Sequence, residues 1–481
     1  MKKPNILLIV LDTLSAKHMS LYGYHRRTTP FLEQFARECV VYKYCFAPAP
    51  WTSPSHASIF TGLYPPQHIC EGFNLFLDRN LFSLPEILRD FGYKTYGCSC
   101  NNLISKFFQF DRGFLNFYDI FYRPLLREYL NQGLNKIERV KLLLKWITFD
   151  FKDGLKYLFS CFHLTEYMPN YNVYDFSFLG SLDAIRYLNY VLKSHSYSDT
   201  DIFFIFLNIM ETHAAFNPPK QYRNIFVKDH NSFDKELDQD NYPLNYYLCG
   251  YSDELLHYLT GMYDQEVLCT DALLCKIVAI LKTYGFYDNT LLIITADHGE
   301  SLGEHNIVEH SYCLYNENLH VPLIVKYPSY FELKGLDEKL RQNLDIFHTI
   351  CEILDAPIPY DSSLSLLNNS RKIALSYLIT EPIMKIVCLL QRDYTFKPKT
   401  FMQPHISLIT KDFWKIIKRR DGYIEIYDLN KDLYETNNLT NDPNFENKKK
   451  ELENLIDKYS KETGYDNAVI KQEEDIFRYF D

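Results

Sequence analysis

The sequence predicts an α/β protein: a doubly wound, mainly parallel sheet sandwiched by helices, with a small C-terminal α+β subdomain. Three observations carry this. Short, near-continuous apolar runs at 5–11, 202–210, 290–295 and 321–326 fit strands covered on both faces. Between them lie longer stretches with apolar residues three and four apart, the period of an amphipathic helix. Beyond residue 413 the pattern changes to brief apolar runs broken by turn residues, as expected for antiparallel strands.

In chain order, 5–11 reads as the first strand. A helix over 29–39 follows, with Pro30 near its start, where a missing N–H costs nothing. A second helix spans 53–61, opened by Ser53 and Pro54. The spacing predicts a helix over 84–91, ended by Gly92, then a strand over 94–100. Residues 119–200 form a helical insertion whose basic part, 123–162, interleaves Lys and Arg with Leu, Trp and Phe. A soluble helical excursion with a solvated basic face is preferred there over a membrane-surface helix. The polar stretch 216–251 is loop-like, in the manner of a lid. A long helix covers 253–284, with Gly285 at its end, then the strand 290–295, the strand 321–326 and a helix over 344–354. The tail holds short strands near 414–417 and 423–429 and a Lys/Glu-rich surface helix over 447–463. The division is a catalytic domain over 1–375 and a C-terminal subdomain over 376–481.

Bulk properties bound the function. With 481 residues and 47% apolar content, a large core is available. A net charge of −10 argues against nucleic acid held by a basic surface. The aromatic content of 16% reads as packing material. Twelve cysteines lack CxxC or zinc-like spacing and read as reduced, buried thiols. The apolar run 6–11 is short, ends in Asp12 and lacks a small-residue cleavage site, so it is read as a strand and not as a signal peptide. No run is long enough for a transmembrane helix. A cytoplasmic location is expected. The oligomeric state is not readable.

Polar residues follow the apolar strands in a pattern. Asp12 follows the first, Glu211 and His213 the run ending at Met210, and Asp297 with His298 the run ending at Thr295. In open α/β sheets, sites form outside the carboxyl ends of the strands. Thr52 precedes Ser53-Pro54-Ser55-His56 and a stretch ending in Thr61-Gly62. That grammar puts its hydroxyl at a helix N-terminus, where backbone N–H groups favour negative charge.

The segment from Thr52 resembles the signature of the sulfatases, a branch of the alkaline phosphatase superfamily. Asn5 to Thr13, Leu21-Tyr22-Gly23-Tyr24, Thr28-Thr29-Pro30, Asp288-Asn289-Thr290, Thr295-Ala296-Asp297-His298-Gly299-Glu300, Leu302-Gly303-Glu304-His305, His320-Val321-Pro322-Leu323 and the tail Asp432-Leu433-Tyr434-Glu435-Thr436-Asn437-Asn438-Leu439 are similar to further family motifs. The resemblance implies the alkaline-phosphatase fold and ester chemistry. It also exposes departures. The family converts a Cys or Ser at the first signature position to formylglycine, and Thr52 cannot supply that aldehyde. His56 stands where the family has an arginine, and Thr13 where it often has a second Asp.

Asp12 and Asp297 offer hard oxygen ligands, His298 an imidazole and Thr52 a hydroxyl, so these four make a candidate site for one divalent ion. Loss of a carboxylate and gain of an imidazole favour Mn²⁺ or Zn²⁺, with Mg²⁺ and Ca²⁺ open. Thr52 is the candidate nucleophile. His213 and His310 are the candidate acid/base or anion-binding groups, and His56 a further candidate. Glu211 is placed to orient His213 or bind a second metal; Asn101 and Asn102 are weaker anion contacts, and Glu304 and His305 weaker still. His18, His25, His68 and His348 read as structural.

The expected function is metal-dependent cleavage or transfer of a phosphate or sulfate ester of a small molecule, glycan or lipid headgroup, with phosphoester chemistry favoured. The alternatives are a true sulfatase, against which Thr52 speaks, and an inactive binding protein on the same scaffold. Keeping Asp12, Thr52, Asp297 and His298 together disfavours the latter.

Overall fold

The computed structural model describes residues 3–72, 74–120, 180–196, 202–214, 216–228, 251–356, 361–368, 371–379 and 403–478. Fourteen strands are described. They are β1 (Asn5–Leu11), β2 (Val40–Phe46), β3 (Lys94–Ser99), β4 (Asn116–Asp119), β5 (Phe203–Ile209), β6 (Thr290–Ala296), β7 (Ser301–Leu302), β8 (Val308–Glu309), β9 (His320–Lys326), β10 (Gly335–Gln342), β11 (Ile373–Leu378), β12 (His405–Thr410), β13 (Trp414–Arg419) and β14 (Ile424–Asp428).

Eight of them make one sheet in the order β10-β2-β9-β6-β1-β5-β3-β4. β1, β5 and β6 are buried at every residue, the state of central strands with helices on both faces. β1 pairs in parallel with both β5 and β6, so their carboxyl ends fall on one edge. Leu11 lies opposite Ile209 and Ala296, which brings Asp12, Glu211 and Asp297 to neighbouring positions.

β9 runs antiparallel to both its neighbours, β2 and β6. It carries Pro322 in its interior, a residue that cannot donate to a ladder. The register against β2 shifts between Tyr42 and Cys45, opposite this proline. The Lys43 carbonyl freed by that irregularity accepts from His320 Nε2 at 2.8 Å. β2, β4, β10, β11 and β12 were not expected from the sequence. β10 is mostly polar and exposed until Leu340 and becomes a strand through its pairing with β2.

The long helix Asp253–Thr283 opens on Ser252, whose hydroxyl accepts from Leu255 N at 3.2 Å, and buries the predicted apolar stripe. Of the expected insertion at 119–200, the amphipathic helix Ser181–His195 packs against β3 and β5. The basic stretch 123–162 lies outside the described residues, as does 229–250 of the expected lid. The helix Thr52–Thr61 is buried along its whole length and ends at Gly62, whose φ is 69°. A side chain at Gly62 would come within 2.4 Å of Phe347, so this turn admits only glycine.

β11, β12, β13 and β14 form a separate antiparallel sheet, covered by the helix Glu446–Thr463. Tyr377, Leu408, Ile416, Ile426, Leu452 and Ile456 form its core, apart from the main one. Eight of the nine described cysteines are buried, and all nine are free thiols. No helix among the described residues is long and apolar enough to cross a membrane.

Candidate active site

The strand-end edge collects the predicted residues. One donor atom each of Asp12, Asp297 and His298 lies within 4.8 Å of the others, and all three side chains are buried. Thr52 is the first residue of its helix, with its Oγ1 3.4 Å from His298 Nε2. That nitrogen lies 3.5 Å from Asp297 Oδ2 and 4.0 Å from Asp12 Oδ1. His298 Nδ1 donates to the Gly299 carbonyl at 2.9 Å, which leaves the Nε2 lone pair for the cluster. Burial, with His310 beside it, pushes His298 well below its ordinary pKa and keeps it neutral, the form that ligates metals.

The two carboxylates are held from outside. Asp12 Oδ2 accepts from Asn101 Nδ2 at 2.7 Å and Asn208 Nδ2 at 3.3 Å. Asp297 Oδ1 accepts from His298 N at 2.9 Å and Thr13 N at 3.2 Å. Their other oxygens, Asp12 Oδ1 and Asp297 Oδ2, accept no hydrogen bond. Buried carboxylate oxygens without partners are costly, and a divalent cation between them satisfies both. The residues present therefore fit a metal ion, with Asp12, Asp297 and His298 as ligands and Thr52 beside them.

His56 lies beneath the cluster. Its ring is buried, Nδ1 is 3.0 Å from the Thr52 carbonyl and 3.4 Å from Asp297 Oδ2, and Nε2 faces Asn208. Burial alone would lower its pKa; Asp297, Asp12 and the Thr52 carbonyl outweigh that and raise it. His213 and His310 adjoin the cluster. The His310 ring centroid is 4.5 Å from that of His298 and 5.1 Å from that of His213. His213 Nδ1 donates to the Ala214 carbonyl, and His310 Nδ1 contacts Glu300. Glu211 receives the Ser181 hydroxyl. Burial raises its pKa to about 8.

Asn101 holds Asp12 instead of facing open space. Asn208, Thr212 and Asn343 were not singled out in the sequence, and Thr13 only as the residue in place of a second Asp. Asn208 carries a legible signal: it is the one polar residue in the buried strand β5. Thr13 adopts φ 59°, which turns its N–H to Asp297. Asn343 follows β10 and donates to the Asp297 carbonyl at 3.3 Å, a contact no linear motif announces. His18, His68 and His348 are tied to Asp264, Ser58 and the Gly62 carbonyl, away from the cluster. His305 stacks on Tyr315 at 3.7 Å and belongs to a different network.

The family model described as "Sulfatase" matches residues 4–356. The chain belongs to the sulfatase family. It is thereby an enzyme of the metal-dependent ester-hydrolase class, within the alkaline phosphatase superfamily. A second sulfatase-family model, "N-sulphoglucosamine sulphohydrolase, C-terminal", matches residues 303–462. Among characterised relatives, an N-acetylglucosamine-6-O-sulfatase of Bacteroides thetaiotaomicron is 22% identical, over 99% of this chain and 89% of its own. An arylsulfatase of Clostridium perfringens is 23% identical, over 98% of both. A phosphonate monoester hydrolase of Agrobacterium radiobacter shares the fold with a TM-score of 0.67 at 18% identity, over 96% of both chains. A 2-O GAG sulfatase does so with a TM-score of 0.66 at 18% identity, over 96% of this chain and 93% of its own. This sulfatase-family chain carries Thr52 where its signature helix begins.

Proposed function

We propose that this sulfatase-family chain cleaves or transfers phosphate esters, with Thr52 as nucleophile and a small-molecule, glycan or lipid-headgroup ester as substrate. The observation that carries the reading is the Thr52 hydroxyl itself. It opens a buried helix 3.4 Å from His298 Nε2, beside two carboxylate oxygens without hydrogen bonds. Asp12, Asp297 and His298 would hold a divalent ion, with Mn²⁺ or Zn²⁺ favoured, which would supply positive charge to ease deprotonation of a hydroxyl and offset the charge of the ester oxygens. Thr52 Oγ1 forms a bond to the ester phosphorus as the bond to the leaving oxygen breaks. The helix N-terminus faces the developing charge with its N–H groups. His310 or His213 gives the leaving oxygen its proton. Water or an acceptor hydroxyl then displaces Thr52 from phosphorus.

The preference for phosphate rests on Thr52. A formylglycine hydrate releases sulfate by collapsing to the aldehyde, and a threonine ester has no such exit. The names of the relatives favour the second reading, a sulfuric ester hydrolase. Matched aryl phosphate and aryl sulfate substrates decide between them: the phosphate is expected to react at least about tenfold faster, roughly 1.4 kcal/mol of barrier. A preference for the sulfate overturns the phosphate assignment. In this reading residues 1–375 carry the site and 376–481 form the C-terminal subdomain. The free thiols support a cytoplasmic location.

A further inference from the structure

Glu300 is buried, and nothing in the proposed chemistry yet uses it. Among the described residues its carboxylate hydrogen-bonds to His310, with Oε1 at 3.1 Å and Oε2 at 3.3 Å from Nδ1. The two side chains are 1% and 12% exposed. Their meeting is built into the backbone. β7 and β8 form a small hairpin in which Ser301 pairs with Glu309, so Glu300 and His310 are the next pair across its mouth.

Both halves of that hairpin are pinned. Gly299 N donates to the Asn318 carbonyl at 2.7 Å, and a Cβ at Gly299 would sit 2.0 Å from the Glu317 carbonyl oxygen, so the residue before Glu300 is locked in place. On the other side, Glu309 and Ser311 adopt φ 69° and 76° on either flank of His310. Non-glycine residues adopt that region only where the surroundings enforce it. Ser311 N donates to the Pro50 carbonyl at 3.0 Å, which ties the His310 loop to the segment that delivers Thr52.

We propose that Glu300 is a positioning residue for His310. The carboxylate accepts a hydrogen bond from Nδ1–H, fixes the ring plane and leaves Nε2 as the nitrogen that serves the leaving group. This rests on the reading above and selects His310 over His213 as the acid. In the step, the Nε2–H bond breaks and an O–H bond forms on the departing ester oxygen. The electron pair of the broken ester bond stays on that oxygen. The ring is left neutral with its proton on Nδ1, facing Glu300, and Nε2 regains a proton from the water that attacks the Thr52 ester.

The test is Glu300→Gln and Glu300→Asp in the full-length, metal-loaded enzyme. Each is assayed on a pair of esters of the class the wild type cleaves, one with a nitrophenol and one with an alkyl alcohol as leaving group. A nitrophenolate departs without protonation and an alkoxide does not, so loss of kcat for Glu300→Gln should be at least about tenfold larger for the alkyl ester, with KM moving less than about threefold. Glu300→Asp should recover part of the alkyl activity. Equal losses on the two esters mean a structural role only and overturn the proposal. The ¹⁵N imidazole spectrum of the zinc- or magnesium-loaded protein gives a readout apart from turnover. His310 should show its proton on Nδ1 in the wild type and in Thr52→Ala, and lose that signature in Glu300→Gln. A His310 spectrum indifferent to Glu300 overturns the proposal as well. Turnover that survives Thr52→Ala refutes the nucleophile assignment instead, so the two failures are distinguishable.

Discussion

Two of the polar clusters among the described residues differ in how their charge is balanced. Lys17, Lys415 and His305 face Glu304, Glu317 and Glu435 where the C-terminal subdomain meets the main sheet. Lys415 and Glu435 are fully buried and bonded to each other, and Lys415 Nζ also donates to the Leu314 carbonyl and Asn316 Oδ1 at 2.7 Å each. Every carboxylate there has a cation of the protein's own. The strand-end cluster instead places Asp12 and Asp297 among histidines and leaves one oxygen of each without a hydrogen bond. The first cluster is closed and holds two parts of the chain together. The second has only histidines beside its carboxylates and no lysine or arginine among the described residues. Burial of charge therefore does not mark a functional site here, nor does an unbonded oxygen alone, since Glu317 Oε2 and Glu435 Oε1 also accept no hydrogen bond; acidic side chains converging with a histidine and no lysine or arginine do.

The largest expected effect that would test this contrast is on the closed cluster. Lys415→Met leaves Glu435 buried without its partner and should cost about 3–5 kcal/mol of stability, read by denaturant titration. Metal binding by the folded fraction should be unchanged. A loss below about 1 kcal/mol would mean that the network is not closed as described.

Asp297→Asn should act in the opposite sense on the open cluster. Without metal the variant should be as stable as the wild type or more so, because an unpaired buried oxygen is removed while the acceptor for Thr13 N and His298 N is kept. Metal at a hundredfold excess over its Kd should stabilise the wild type by about 2.7 kcal/mol and the variant by close to none. Equal thermal shifts in the two proteins would place the ion elsewhere.

The smallest effect is a pH slope. Burial lowers the pKa of His305, but Glu317 and the neighbouring Glu435 overcome this and raise it to about 9. A raised histidine contributes stability that is fully present below its unfolded value of about 6.5 and is lost as the pH climbs through the folded value. Melting temperature should therefore fall between about pH 6.5 and 9, and His305→Gln should flatten that decline. An identical slope in the variant would show that the decline comes from other groups.

Much of the candidate site was legible because the chemistry follows the strands. Asp12, His213, Asp297 and His298 each stand just past a buried apolar run, and the Ser53-Pro54 pair marks a helix start that the structure places one residue earlier, at Thr52 itself. β1, β5 and β6 announce themselves by continuous Ile, Leu, Phe and Val. β10 does not, because its outer residues are polar and it owes its conformation to pairing with β2. β4 is only four residues long and has no alternation to read. The antiparallel direction of β9 was equally hidden, since an apolar run has the same composition in either direction.

Sequence alone determined the α/β class, the strand-end placement of the acidic residues and histidines, and the threonine at the head of the signature helix. These are local properties, set by hydrophobic period, capping residues and side-chain type. Tertiary structure decided which oxygens remain unpaired, that Asn101 and Asn208 hold Asp12, that Glu300 meets His310 across a two-residue hairpin, and that Glu317 and Glu435 find their cations while Asp12 and Asp297 do not. Most of those outcomes depend on contacts between residues far apart in the chain, and the rest on how a short hairpin is pinned to other segments, which a local pattern cannot encode.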